Sequence, residues 1–134
     1  MLDGHAKAAT KPAPRKKAEP WTDVWERMDF DSKMSAKAVQ MRKATGKMMD
    51  DVHDRLEKHV EETSFPAWIV DHFKPLGING LTIKGLGSPG LTTFEAGSII
   101  YELGKRDASI ATFFLVHNAI GMAVVDVLGD EEQR

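Results

Sequence analysis

The sequence predicts an all-α protein, a helical bundle carried behind a flexible N-terminal tail. Three observations predict it. Apolar residues between positions 34 and 59 recur at steps of three or four. A Thr-x-x-Glu pattern at Thr92 marks a helix start. The stretch from Ala108 to Leu128 is apolar on nearly every side, as a central helix would be. The six prolines and eleven glycines gather at the boundaries, which suits helices separated by sharp turns. At 134 residues the chain fits one domain with a modest core. Its 42% hydrophobic and 28% charged residues place it among soluble globular proteins. A formal net charge of −2 predicts no general attraction to nucleic acid or membrane surfaces. The absence of cysteine excludes disulfides, cysteine zinc sites and thiol nucleophiles.

Residues 1–20 form the tail. They hold five Lys or Arg against two acids, with three prolines and almost no large apolar side chain. Such a segment buries too little surface to offset its ordering entropy. A basic, acid-poor end is also compatible with an import signal, although the prolines oppose a continuous amphipathic helix and serine is absent. The folded domain is expected over 21–134. It opens with WTDVWERMDF, where Trp21, Trp25 and Met28 share helical spacing and read as a docking turn.

A long amphipathic helix follows from Asp31. Met34, Ala38, Met41, Thr45, Met48, Val52, Leu56 and His59 make its apolar stripe, and Arg42, Lys43, Asp50 and Asp54 fall on the opposite face. Gly46 weakens this helix by about 1 kcal/mol without ending it. Ser64-Phe65-Pro66 breaks it and starts a short helix with Trp68, Ile69, Phe73 and Leu76 inward, stopped at Pro75-Leu76-Gly77. LTIKGLGSPGL matches neither phosphate-loop pattern and reads as a structural turn. Thr92 to Glu95 opens a helix to about Lys105, and Asp107 caps the next.

The Ala108–Leu128 stretch has the length of a membrane span, but Ser109, Thr112, His117, Asn118 and Asp126 interrupt it, and no basic cluster or aromatic belt flanks it. It reads as a helix wrapped by neighbours, some of them beyond this chain. After Gly129, Asp130 to Gln133 has the composition of a fresh helix start, so the domain is expected to be incomplete at its C-terminal end.

LTIKGLGSPGL, YELGKRDASIATFFLVHNAIGM and LGDEEQR together resemble the N-terminal helical domain of the acyl-CoA dehydrogenase and acyl-CoA oxidase superfamily, with plant-type peroxisomal short-chain acyl-CoA oxidases and glutaryl-CoA dehydrogenases among the relatives. The resemblance covers residues 65–134 strongly and 31–64 by pattern alone. It implies an FAD-dependent enzyme that oxidises a short- or medium-chain acyl-CoA to a trans-2-enoyl-CoA. It also implies assembly as a homotetramer and a peroxisomal or mitochondrial location. The catalytic base is expected in a C-terminal domain, so no catalytic residue is assigned to this chain.

What the resemblance implies here is a wall of the acyl pocket at Ala111 and Thr112, where glutaryl-CoA dehydrogenases carry an arginine-serine pair. The arginine is missing and Gly104 stands where those enzymes have glutamate, so a neutral acyl chain suits the site better than a carboxylate. Packing of helix on helix explains the same two residues equally well. His117 and Asn118 read as buried polar anchors rather than a general base with an orienting amide. His53, His59 and His72 show no metal-ligand constellation with acids. Lys105-Arg106 reads as a solvated helix end, with contact to CoA phosphates as the alternative. The rival to the enzyme reading is a free-standing, non-catalytic helical interaction module; a nucleic-acid-binding tail has only residues 7–17 behind it.

Overall fold

Ser35 and Thr92 begin the two longest regular helices, each by turning its side-chain oxygen onto a backbone amide that would otherwise lack a partner. The structure is a computed structural model that describes residues 24–134, in two compact units divided after Asp31. The 1–20 tail and Trp21 lie outside the described residues. In the first unit, α1 (Val24–Arg27) leads to a corner where the Trp25 indole donates to Asp31 Oδ1 at 2.8 Å and meets the Phe30 ring edge-on at 4.9 Å.

The second unit is helical, with no strand among the described residues. Its elements are α2 (Ala36–Glu61), α3 (Ile69–Phe73) with a 3-10 turn at Lys74–Leu76, α4 (Thr93–Arg106) and a 21-residue rod over Ala108–Leu128. The rod comprises α5 (Ala108–Leu115), a π-helical stretch (Val116–Met122) and α6 (Ala123–Leu128). α2 packs along α4, and α4 along α5. The core lies between them, with Met49, Val52, Leu56, Ile69, Phe73, Ile99, Leu103 and Phe114 all buried.

Two expectations for α2 need correction. The helix starts at Ala36, not Asp31, because Ser35 caps it by accepting from Ala38 N and a 3-10 turn (Phe30–Lys33) occupies the preceding residues. Arg42, expected on the solvated face, is buried, because Glu102 of α4 stands opposite to receive it. The buried row is Ala38, Arg42, Thr45, Met49, Val52 and Leu56, whereas Met34, Met41 and Met48 pack at its margin. Gly46 lies inside this contact. A Cβ there would sit 3.1 Å from both Arg106 Nη2 and Glu102 Oε2.

The α2–α3 corner is held by side chains. His59 Nε2 accepts from the Trp68 indole at 2.9 Å, which leaves Nδ1 to donate to Ser64 Oγ at 2.7 Å. The Arg55 guanidinium lies 3.8 Å over the Trp68 ring. Pro66 is buried in the turn before α3 rather than in its first helical turn. Gly77, at φ +62°, ends the 3-10 turn in the left-handed conformation that a side chain would resist.

The Thr92 capping box is complete, and Glu95 does more than close it. Its Oε1 accepts from Ser35 N at 2.8 Å, so one carboxylate ties together the starts of α2 and α4. Hydrogen bonds from Ser35, then from Thr92, hold its carboxyl at about 2. Asp107 caps α5 through Ile110 N, and Asp130 accepts from the amides of Glu132 and Gln133, as expected.

Candidate functional site

The connection between α3 and α4 is a folded loop. Its base is closed by Leu91 N donating to Leu81 O at 2.7 Å, and its tip by Ser88 N donating to Gly85 O at 2.9 Å. Lys37 of α2 holds one side through the Pro89 carbonyl, at 2.8 Å. Asn118 of the rod holds the other: its Oδ1 accepts from Gly80 N at 2.7 Å and Leu81 N at 3.3 Å, while its Nδ2 donates to Phe114 O at 3.0 Å. KGLGSPG is therefore a structural turn, and Asn118 the buried anchor expected of it.

Between this loop and the rod runs an open cleft of about 510 Å³. Ile83, Leu86 and Ser88 form the loop wall, and His117, Gly121, Met122, Val125 and Asp126 the rod wall, with Arg134 completing the lining. The lining is mostly apolar. Leu86 is 71% exposed and sits at φ +52°, a conformation that costs a side chain about 1 kcal/mol. An aliphatic side chain held in strain with its face to solvent is an observation that points toward a ligand or partner.

His117 departs from the sequence expectation. It is exposed rather than a buried anchor, because the widened π turns rotate it onto the cleft while Asn118 takes the inward position. Its ring lies 4.7 Å from Phe113, and Phe113 lies 4.7 Å from Phe65. These three rings line an aromatic track that reaches the cleft at His117.

The two expected pocket residues diverge. Ala111 is buried, and a methyl on Gly104 would stand 3.7 Å from its Cβ, so it packs against Gly104 of α4. Thr112, next to Phe113, is exposed, with its hydroxyl donated to the Ala108 carbonyl at 2.8 Å. Its methyl and hydroxyl oxygen, rather than a free O–H donor, are what it presents.

Arg106, expected at a solvated end or near CoA phosphates, is instead committed to protein. It pairs with Asp50 through two hydrogen bonds, at 2.7 and 2.9 Å, and with Glu102. Hydrogen bonding to Arg106 lowers the Asp50 pKa, and the Asp50 carboxylate in turn raises that of Arg106. Among the described residues no three His, Asp or Glu side chains converge as metal ligands. The cleft does not fit a dinucleotide such as FAD: a mostly apolar lining in which Arg134 is the one Lys or Arg suits a hydrocarbon better than a diphosphate.

Sequence reasoning missed the loop wall of the cleft. The signal was Gly85-Leu86-Gly87, a large apolar residue displayed between two glycines that both take positive φ. It also missed the Arg42–Glu102 pair, which required knowing that α4 crosses α2 there.

The rod is long and apolar enough to cross a membrane by length and composition, and 22% of its most apolar window is buried. Ile120, Val127 and Leu128 are each at least 65% exposed. Comparison with known protein families matches residues 35–134 to the acyl-CoA dehydrogenase N-terminal domain. None of the curated proteins matches the chain.

Proposed function

The chain belongs to the acyl-CoA dehydrogenase N-terminal domain family, and from that premise we propose that it is the substrate-facing helical part of an FAD-dependent acyl-CoA oxidoreductase. The reaction would convert a short- or medium-chain acyl-CoA to its trans-2-enoyl-CoA, in an oligomeric enzyme. The family match over 35–134 carries this reading, and the half-covered apolar rod supports it. FAD, held by protein outside this domain, would supply the oxidant for the β-hydrogen, and the base that removes the α-proton belongs to no residue described here.

The work assigned to this chain is shape and exclusion of water. Thr112, with its hydroxyl proton donated to Ala108, offers an uncharged wall to an acyl chain that would run past Phe113 to the cleft at His117. Ala111 sets that wall's position through the close approach to Gly104. No Lys or Arg occurs between Ala108 and Leu128, so the rod provides no cation for a distal carboxylate, and glutaryl-CoA would lose several kcal/mol by burying one.

The test is anaerobic addition of butyryl-CoA or hexanoyl-CoA to the full-length flavoprotein. Bleaching of the flavin absorbance by either, and not by glutaryl-CoA, is expected. No bleaching with any neutral acyl-CoA overturns the reading. One observation favours a second reading, a free-standing interaction module: α2, α4 and α5 close a core with their own residues. A monodisperse, cooperatively melting monomer on size-exclusion chromatography of the 134-residue chain would favour the module, and self-association through the rod the enzyme part.

A further inference from the structure

The two walls of the cleft come from distant parts of the sequence, and one side chain joins them. Asn118 is 8% exposed, and its carboxamide uses both ends: Oδ1 takes the amides of Gly80 and Leu81, and Nδ2 reaches back to the Phe114 carbonyl. It stands in the π-helical stretch, a widened turn of a kind that recurs at functional sites. The loop is pressed tightly onto the rod at this point. Gly80 sits at φ +64°, and a Cβ there would lie 2.6 Å from Ser88 Oγ and 3.2 Å from Met122 Cε, one atom from each wall. The Lys37–Pro89 tether does not duplicate this restraint, since it fixes the loop to α2 rather than to the rod.

We propose that Asn118 is a positioning residue that sets the separation of the cleft walls, and through it the length of aliphatic chain the cleft accepts. The carboxamide touches no ligand. It acts through Gly80 and Leu81, which carry Ile83 and Leu86 toward His117 and Gly121 across the opening. Loss of the two accepted bonds frees the loop to move outward, so a short chain loses contact on one side while a longer one gains room. The identity of the ligand as an acyl chain rests on the proposed function; the coupling of loop to rod does not.

Two variants of the full-length enzyme separate the terms. Asn118→Leu keeps the branched shape and removes both acceptor and donor; Asn118→Asp keeps the acceptor and replaces the donor to Phe114 with an oxygen. In Asn118→Leu, amide hydrogen exchange at Gly80 and Leu81 is expected to quicken about tenfold or more. KM for butyryl-CoA is expected to rise about tenfold with kcat held within about twofold, the pattern of lost uniform binding, and the preference for octanoyl-CoA over butyryl-CoA to increase. Asn118→Asp, which keeps the acceptor, should hold exchange at Gly80 and Leu81 slower, and KM lower, than Asn118→Leu does. Should Asn118→Leu not fold, Asn118→Ser, which shortens the acceptor, replaces it with the same expectations. Unchanged exchange at Gly80 and Leu81 overturns the lock. Faster exchange with unchanged KM and chain-length preference overturns the positioning role. A wild-type enzyme that turns over no acyl-CoA overturns the proposed function, while the exchange comparison still decides the lock.

Discussion

Glu102 illustrates how one residue decides the cost of several others. It is 4% exposed between Arg42 and Arg106, and Asp50 completes the chain of charges from the other side of Arg106. Glu102→Ala would leave Arg42 buried without that carboxylate, a change that costs about 3–5 kcal/mol. Asp50→Asn, at an exposed position, should cost less than about 1 kcal/mol; urea unfolding of both variants measures the contrast. Gly46 belongs to the same contact. Alanine there would gain about 1 kcal/mol of helix propensity. Its methyl, however, would press on a guanidinium that Asp50 and Glu102 hold from both sides, so Gly46→Ala should lower the melting temperature. The cost of Gly46 was legible in the sequence; its reason, a charge network arriving from a helix more than fifty residues away, was not. Glu95 carries a pH dependence. Its folded value of about 2 lies below the ordinary 4.5, so its contribution is fully present above pH 4.5 and is lost as the pH falls toward 2. Glu95→Gln should therefore be less stable at neutral pH and should flatten the stability profile across that acid window, with the remaining slope coming from Asp50 and Asp71.

Among the elements, the rod divides at Leu115. Ile110, Ala111 and Phe114 of α5 are buried, whereas Val124, Val125, Val127 and Leu128 of α6 are all exposed. The apolar circumference that the sequence displayed is thus satisfied over its first two turns only. Side chains that already face solvent contribute little burial to lose, so replacing Ile120 and Leu128 by serine should change the unfolding free energy of this chain by less than about 0.5 kcal/mol each. The same double variant should reduce self-association, which sedimentation would measure; undiminished self-association in the double variant would contradict an apolar-face origin. The helix itself was legible, as were its Asp107 cap and its neighbour's capping box, because caps are local chemistry. The π turns at Val116–Met122 were not. Their widening fits Asn118 to two loop amides, and a contact across 37 and 38 residues leaves no trace in helical periodicity.

For the molecule as a whole, the fold class follows from patterns that depend only on near neighbours in sequence: stripe, cap and turn. The cleft does not, because it exists only where the α3–α4 connection meets the rod. This division has a dynamic consequence. α2, α4 and α5 share a continuous core with Met49, Ile99, Leu103 and Phe114 fully or almost fully buried, and the Glu95 and Glu102 carboxylates bridge α2 to α4 at two levels. Opening any one of these helices exposes the same core, so their amides should exchange hydrogen together, through near-global unfolding. From Val116 onward Asn118 is the buried residue, and little apolar burial opposes local fraying. Native-state hydrogen exchange should accordingly show two classes of amide, slow over 38–56 and 96–114 and faster by about 2 kcal/mol or more of opening free energy over 123–128. Uniform protection along the whole rod would mean that its C-terminal turns are covered, by self-association or otherwise. Repeating the measurement at tenfold lower protein concentration identifies that cover: protection that falls on dilution belongs to a contact between copies, and protection that persists to a core larger than the one described here.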